Sequence, residues 1–360
     1  MRNKILACTL LGLGFPLTSI ATTSGPNVAV DIAPLHSLVS QVMDGVSKPD
    51  LIIPAEASPH EYALRPSQAK ALSDADVVFW MGEGLTPWLE KALGNVSDSA
   101  QKVEMLKLAG TTTYEFREGA TFEGHDHGDH AEEEDHHDGH EDEHHDDHHD
   151  ELGLIDRFLS MFSHDHEEDH HDEHQDEHQD EHSGHDEHEG ADPHAWLDPE
   201  NAKVWLSEIS GVLSKQDPAN AKTYESNANK AIALLDQLIN ETQSTIDSLG
   251  ELKFIVFHDA YQYFEKRFGI SATGSISLGD VQDPSPARIS EVRDVVKKLG
   301  VNCAFTEPQY DPGLVYNVFE GSSVTAIGVM DPLGANIEAG NQHYTKLIEA
   351  MTASLSKCKQ

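Results

Sequence analysis

Basic residues are scarce in this 360-residue chain: 24 Lys and Arg stand against 64 Asp and Glu, a formal charge of −40. Little is available to displace counterions from phosphates, which excludes a simple nucleic-acid binder. Cysteine is scarcer still, at three. Cys8 falls in an amino-terminal stretch that reads as a leader, leaving Cys303 and Cys358. An even pair in a chain bound for an oxidising compartment reads as a disulfide, the alternative being two buried free thiols. Long apolar runs are also missing. The run at residues 5–17 has 13 residues, too few to cross about 30 Å of hydrocarbon. It follows Arg2 and Lys4 and precedes Ser19-Ile20-Ala21, so residues 1–21 read as a cleavable signal peptide and the mature chain as soluble. No H-E-x-x-H falls on a helical pattern, the strings at 140–144 and 166–170 lying within an acidic, histidine-rich run, and no G-x-S-x-G turn occurs, so zinc-protease and serine-hydrolase chemistry lack their usual signatures.

What is abundant is concentrated. Residues 123–189 hold 29 Asp or Glu against the single Arg157, −28 of the total charge, together with 19 of the 24 histidines. Such a segment cannot bury enough apolar surface to offset its ordering entropy, and it reads as a mobile insertion. Imidazoles interleaved with carboxylates, as in His136-His137-Asp138 and His144-His145-Asp146, offer several weak nitrogen sites at high local concentration. Metal collection is the functional reading, and a solvated linker the plain one.

Elsewhere short β-rich runs alternate with helical patterns. Strands are expected at residues 27–32, 51–53, 77–81 and 103–108, with helices at 35–43 and 67–73. The second half repeats the theme, with strands at 254–257, 301–306 and 324–330 and helices at 260–268, 286–299 and 344–356. Alternation of this kind predicts an α/β fold of two lobes, each with a parallel sheet. Between them Asp217 can cap a helix, Pro218 suits its first position and Gly250 ends it. Tyr224, Ala228, Ala231, Leu235 and Leu238 recur at three and four, marking one buried face. The expected organisation is therefore an amino-terminal lobe over 22–216 including the insertion, a linker helix over 217–250, and a second lobe over 251–360. A rod of about 32 residues at 1.5 Å each, about 48 Å long, would span both lobes and resist hinge closure.

Five histidines lie outside the insertion. His258 directly follows the strand at 254–257, where open parallel sheets hold their ligands. His60 follows the strand at 51–53 after a loop containing Pro54 and Pro59, and His194 sits in Asp192-Pro193-His194-Ala195-Trp196. Each lies on a connection that can face a cleft, whereas packing or surface roles suffice for His36 and His343. Three neutral imidazoles suit tetrahedral, borderline-soft Zn2+, while manganese prefers carboxylate oxygen. Separations of 134 and 64 residues match no local metal motif, so spacing alone leaves a structural role open for each.

Ser58-Pro59-His60-Glu61-Tyr62, Leu64-Arg65-Pro66-Ser67, Asp192-Pro193-His194-Ala195-Trp196-Leu197-Asp198-Pro199 and Phe257-His258-Asp259-Ala260-Tyr261 occur in that order. Phe305-Thr306-Glu307-Pro308-Gln309 and Asp331-Pro332-Leu333-Gly334 follow. Together they resemble the family of zinc and manganese ABC-transporter solute-binding proteins, also called cluster A-I or cluster 9. The resemblance spans nearly all of 27–358 and implies two α/β lobes joined by one long rigid helix, with the metal in the cleft between them. It gives His60, His194 and His258 the role of metal ligands and places a disulfide at Cys303 and Cys358. Manganese-binding relatives usually have a carboxylate at the third position, so His258 argues for zinc. Some zinc-binding members carry a glutamate immediately before the first histidine, where this chain has Pro59. The fourth place is left to a water, to Asp331 or to an insertion histidine, Asp331 being equally well read as a turn-forming Asp-Pro. Glu307 reads either as a partner fixing an imidazole tautomer or as a residue closing a loop.

The implied function is a monomeric periplasmic protein that captures Zn2+ as transported ligand and presents it to the membrane permease of an ABC importer. A three-histidine zinc hydrolase or hydratase, and a periplasmic zinc buffer or adhesin, are the alternatives. Metal is expected to order the loop bearing His194 more than it moves the lobes.

Overall fold

Val28–Val30 (β1), Asp50–Leu51 (β2), Val77–Trp80 (β3) and Gln101–Glu104 (β4) pair in parallel in the order β2-β1-β3-β4. The computed structural model describes residues 25–97, 99–117, 122, 190–277, 285–322, 324 and 326–358. The signal-peptide expectation for 1–21 and the insertion expectation for 123–189 lie outside them. A second parallel sheet repeats the first topology: Phe254–Val256 (β5), Gly274–Ser275 (β6), Cys303–Thr306 (β7) and Ala326–Val329 (β8), in the order β6-β5-β7-β8. Central strands β1, β3, β5 and β7 are buried along their whole length, which explains why they read as apolar runs and not as alternations.

Helices Ala33–Val42 (α1), Pro66–Asp74 (α2) and Pro87–Val96 (α3) belong to the first lobe. Pro199–Gln216 (α4) and Ala221–Leu249 (α5) follow, and then Gln262–Phe268 (α6), Pro286–Leu299 (α7), Pro312–Phe319 (α8) and His343–Lys357 (α9). Five of the nine open on proline, whose fixed φ and missing donor suit a first turn. Asp198, Ser285 and Asp311 cap α4, α7 and α8 by accepting the amides of Glu200, Arg288 and Gly313.

The long helix is a correction in detail. Asp217 does not cap it; Asp217 terminates α4, and its Oδ2 accepts from Tyr224 Oη at 2.9 Å and Asn220 Nδ2 at 2.6 Å. Asp217-Pro218 therefore lies in the turn of an α4–α5 hairpin, and the rod has 29 residues, about 43 Å. It spans both lobes, since Asn227 donates to the Val42 carbonyl in the first and Gln243 to the Phe268 carbonyl in the second. The apolar core does the same. One continuous cluster runs from Val30 and Phe79 through Trp196, Trp205 and Leu235 to Phe254, Tyr344 and Leu347. Among the described residues a separate cluster lies on the outer face of the second sheet, under α7 and α8, around Ile255, Val292 and Val315. Cys303 and Cys358 are bonded, with Cα atoms 5.6 Å apart, tying the start of β7 to the end of α9.

Asp31 follows β1, at the point where strand order reverses in the first sheet. Its carboxylate is fully buried and accepts from the Ile32 and Met81 amides, both at 2.7 Å. Burial pushes its pKa up to about 7, against the lowering by those two donors. Its side-chain carboxyl carbon resonance is expected to titrate near pH 7; a midpoint near 4 would contradict the assignment. Among the described residues no helix is long and apolar enough to cross a membrane.

Candidate metal centre

The reversal point of the second sheet lies between β5 and β7, and there the two strands deliver reactive side chains. His258 lies two residues beyond β5 and Glu307 immediately beyond β7, both buried. His258 Nδ1 is 2.8 Å from Glu307 Oε1. A carboxylate only accepts, so Nδ1 carries the proton and Nε2 presents a lone pair. Glu307 thus takes the tautomer-fixing role and not the loop-closing one.

His194 is prepared the same way by a residue two positions upstream. Asp192 Oδ1 lies 2.8 Å from His194 Nδ1 and accepts the His194 amide at 3.0 Å, while Asp192 Oδ2 accepts from Gln262 Nε2 at 3.1 Å. The surrounding loop is cemented by large side chains. Trp196 Nε1 donates to the Pro332 carbonyl at 2.8 Å, Tyr263 Oη to the Asp192 carbonyl at 2.7 Å and Tyr344 Oη to the Trp196 carbonyl at 2.6 Å. Residues 192–199 are nearly all buried. The expectation that this loop awaits ordering by metal is thus not what the geometry favours.

His60 differs. It is half-buried on the loop after β2, a loop held by Trp88 Nε1 on the Pro59 carbonyl at 2.8 Å and Gln309 Nε2 on the Ala55 carbonyl at 3.0 Å. It is less buried than His194 and His258, so zinc is expected to slow amide exchange chiefly over 55–62 and little over 192–198. Exchange mass spectrometry showing the reverse order would contradict this.

The three imidazoles converge. One ring nitrogen from each of His60, His194 and His258 lies within 4.8 Å of the others, and ring centroids are 5.3–6.5 Å apart. Tetrahedral zinc at 2.0–2.1 Å spaces its donors at about 3.3 Å, a small inward adjustment of the rings. Asp192 and Glu307 behind them would balance a divalent charge without entering its coordination shell. Ser58, Trp196, Gln309, Tyr310, Pro332 and Leu333 close the cavity, whose free volume is about 10 Å3.

Asp331 is not in this group. Its Oδ1 accepts from Gln309 Nε2 at 3.0 Å, Leu333 N at 3.0 Å and Gly334 N at 2.9 Å, and its Oδ2 from Ala335 N at 2.6 Å. Those bonds make it the anchor of the 331–335 turn, which favours the turn reading over the ligand reading. Gly334, at φ +75°, is required there, since a Cβ would come within 2.8 Å of His343 Nε2. His343 is buried, with Nε2 2.7 Å from the Leu333 carbonyl, and His36 Nε2 lies 3.1 Å from the Pro49 carbonyl, so both serve packing.

A buried ion cluster abuts the centre. Arg117 Nη1 donates to Glu265 Oε2 at 2.6 Å and Nε to Asp259 Oδ2 at 2.9 Å, with the guanidinium carbon 3.6 Å above the Phe122 ring. Burial raises the pKa values of Asp259 and Glu265, and Arg117 opposes the rise. The sequence reading assigned no role to Asp192, Gln309 or Arg117. An Asp two residues before a candidate ligand was the available signal for the first; Arg117 reaches Asp259 across 142 residues and Gln309 reaches Ala55 across 254.

A family model described as the periplasmic zinc-uptake complex component A matches residues 28–358. The high-affinity zinc uptake system protein ZnuA of Brucella abortus (strain 2308) is 40% identical over 358 residues, covering 99% of this chain and 98% of that protein. The protein of the same description from Paracoccus denitrificans (strain Pd 1222) is 37% identical, covering 99% of this chain and 97% of its own length. Among solved structures, the crystal structure of a ZnuA superposes with a TM-score of 0.65 at 20% identity, over 93% of this chain and all of that one.

Proposed function

Because this chain belongs to the family of periplasmic zinc-uptake components, we propose that it captures Zn2+ and hands it unaltered to the membrane permease of an ABC-type importer. Zinc is the cargo, and His60, His194 and His258 are its protein ligands. The observation that carries the reading is the convergence of three imidazoles from three separate segments, two of them backed by a buried carboxylate. A nitrogen-only set of neutral rings suits zinc better than manganese.

A hydratase or hydrolase would need a general base and room for a substrate. Asp192 and Glu307 are engaged by the histidines, and about 10 Å3 accommodates roughly one water-sized particle. Both features favour binding without turnover. The chain works as a monomer in the periplasm after loss of residues 1–21, and the insertion at 123–189 gathers zinc loosely for the central site. Glu115 and Ala191 pair as an antiparallel bridge, so the insertion can be excised at neighbouring points.

Calorimetric titration of the full chain and of a version lacking 123–189 tests this. One tight zinc equivalent is expected in both, with weaker equivalents only in the full chain. Loss of the tight equivalent on deletion would move the site into the insertion, and sensitivity of a deletion strain to zinc excess instead of zinc starvation would favour a buffer.

A further inference from the structure

Three imidazoles fill three vertices of a tetrahedron. What occupies the fourth is restricted by a lining residue, Gln309, whose hydrogen bonding is half complete. Gln309 Nε2 donates both to the Ala55 carbonyl at 3.0 Å and to Asp331 Oδ1 at 3.0 Å. Both partners are pure acceptors, so the amide cannot be turned over without setting oxygen against oxygen. Its Oε1 is thereby fixed as the other end of the group. That oxygen is buried and has no hydrogen-bond partner among the described residues. Leaving a buried acceptor unmatched is unfavourable, and Gln309 lines the cavity that the three histidines share.

Resting on the zinc-capture reading above, we propose that Gln309 is the specificity-determining residue for the fourth ligand: its Oε1 accepts a hydrogen from that ligand, selecting a metal-bound water over an anion. A water bound to zinc has two hydrogens to donate; a carboxylate or halide has none and would face the Oε1 lone pair. The same side chain disposes of the competing carboxylate, because its Nε2 is one of the four donors that hold Asp331 in its turn. The small cavity agrees, since about 10 Å3 among the three rings leaves no room for a further amino-acid side chain. Gln309 also joins the His60 loop to the Asp331 turn, so selection of the ligand and closure of the cavity use one residue.

The test uses the full chain loaded with one equivalent of Co2+, whose visible spectrum reports the fourth ligand, titrated with fluoride, an anion close in size to hydroxide but without a hydrogen. Wild type is compared with Gln309→Met, which keeps volume and removes the acceptor, and with Asp331→Asn, which perturbs the same turn and keeps Oε1. X-ray absorption on the zinc forms counts nitrogen and oxygen neighbours. The expected result is three nitrogens and one oxygen in every form, with fluoride affinity about tenfold higher in Gln309→Met than in wild type and within twofold of wild type in Asp331→Asn. Equal fluoride affinities in wild type and Gln309→Met would overturn the assignment. So would a lost oxygen neighbour in Gln309→Met, which would make Oε1 itself a ligand, or four nitrogens in wild type, which would seat an insertion histidine. In all three outcomes tight stoichiometric metal binding survives; its absence in wild type would instead defeat the zinc-capture reading.

Discussion

Replacement of His258 by alanine is expected to weaken the tight zinc site by about two to three orders of magnitude. Four-donor structural zinc sites are worth about 10–16 kcal/mol at neutral pH, so one donor carries about 2.5–4 kcal/mol, which is about 10²–10³ in affinity. His258 sits at the high end because it is buried and pre-oriented: its ring does not have to be ordered on binding, and Glu307 strengthens its basicity. The loss is read by competition against a chromogenic chelator on zinc-free full-length protein. Removing the ring also deprives Glu307 of its close partner, so the zinc-free variant is expected to unfold at a lower urea concentration. Affinity within threefold of wild type would remove His258 from the ligand set, whatever happened to stability.

Arg117→Met is expected to lower stability by about 3–5 kcal/mol at pH 8, the usual effect of taking away one partner of a buried ion pair. The guanidinium serves two carboxylates at once, Glu265 being buried and Asp259 partly so. The pH dependence has a definite sign. Burial already raises the folded-state pKa of Glu265, with Arg117 holding it down, so without Arg117 it rises further. A carboxyl whose folded pKa lies above its unfolded value favours the native state at low pH and loses that advantage as pH climbs through the folded value. The deficit of the variant should therefore shrink between pH 8 and pH 5. Urea midpoints at the two pH values measure it, and a deficit that grew on acidification would show that the cluster is not held together by charge.

The architecture was legible where a signal was local. Apolar runs marked β1, β3, β5 and β7, because strands buried on both faces leave no polar alternation to mislead, and also β8, whereas β4 was placed two residues late, its expected range of 103–108 running into the turn Met105–Lys107. The two-residue strands fared less well: β2 was placed one residue late, and β6, Gly274–Ser275, carries no β-branched or aromatic residue at all. Helices α3, α4 and α8 were given no range, the first because Trp88, Leu89, Ala92, Leu93 and Val96 give a sparse stripe over only ten residues. Asp217-Pro218 looks like a helix start, and only the Tyr224 hydroxyl, seven residues on, reveals that Asp217 ends the preceding helix. At the centre, position beside a strand or in a proline-flanked segment left a structural role open for each histidine, and only the family motifs singled out His60, His194 and His258. What holds the rings could not be read, since Glu307 meets His258 across 49 residues and Gln309 meets Ala55 across 254. Pairings of that range come from strand order, which composition and periodicity do not encode.

The apolar core that runs unbroken through both lobes, with a 29-residue helix laid along it, bears on how a downstream transporter could tell a laden carrier from an empty one. Binding proteins that shut like a book advertise their cargo by the distance between their covers. Here the covers are glued at the spine, and the least buried of the three histidine-bearing segments is the short flap that carries His60. A receptor that has to avoid wasting cycles on empty carriers would do best to read the stiffness of that flap.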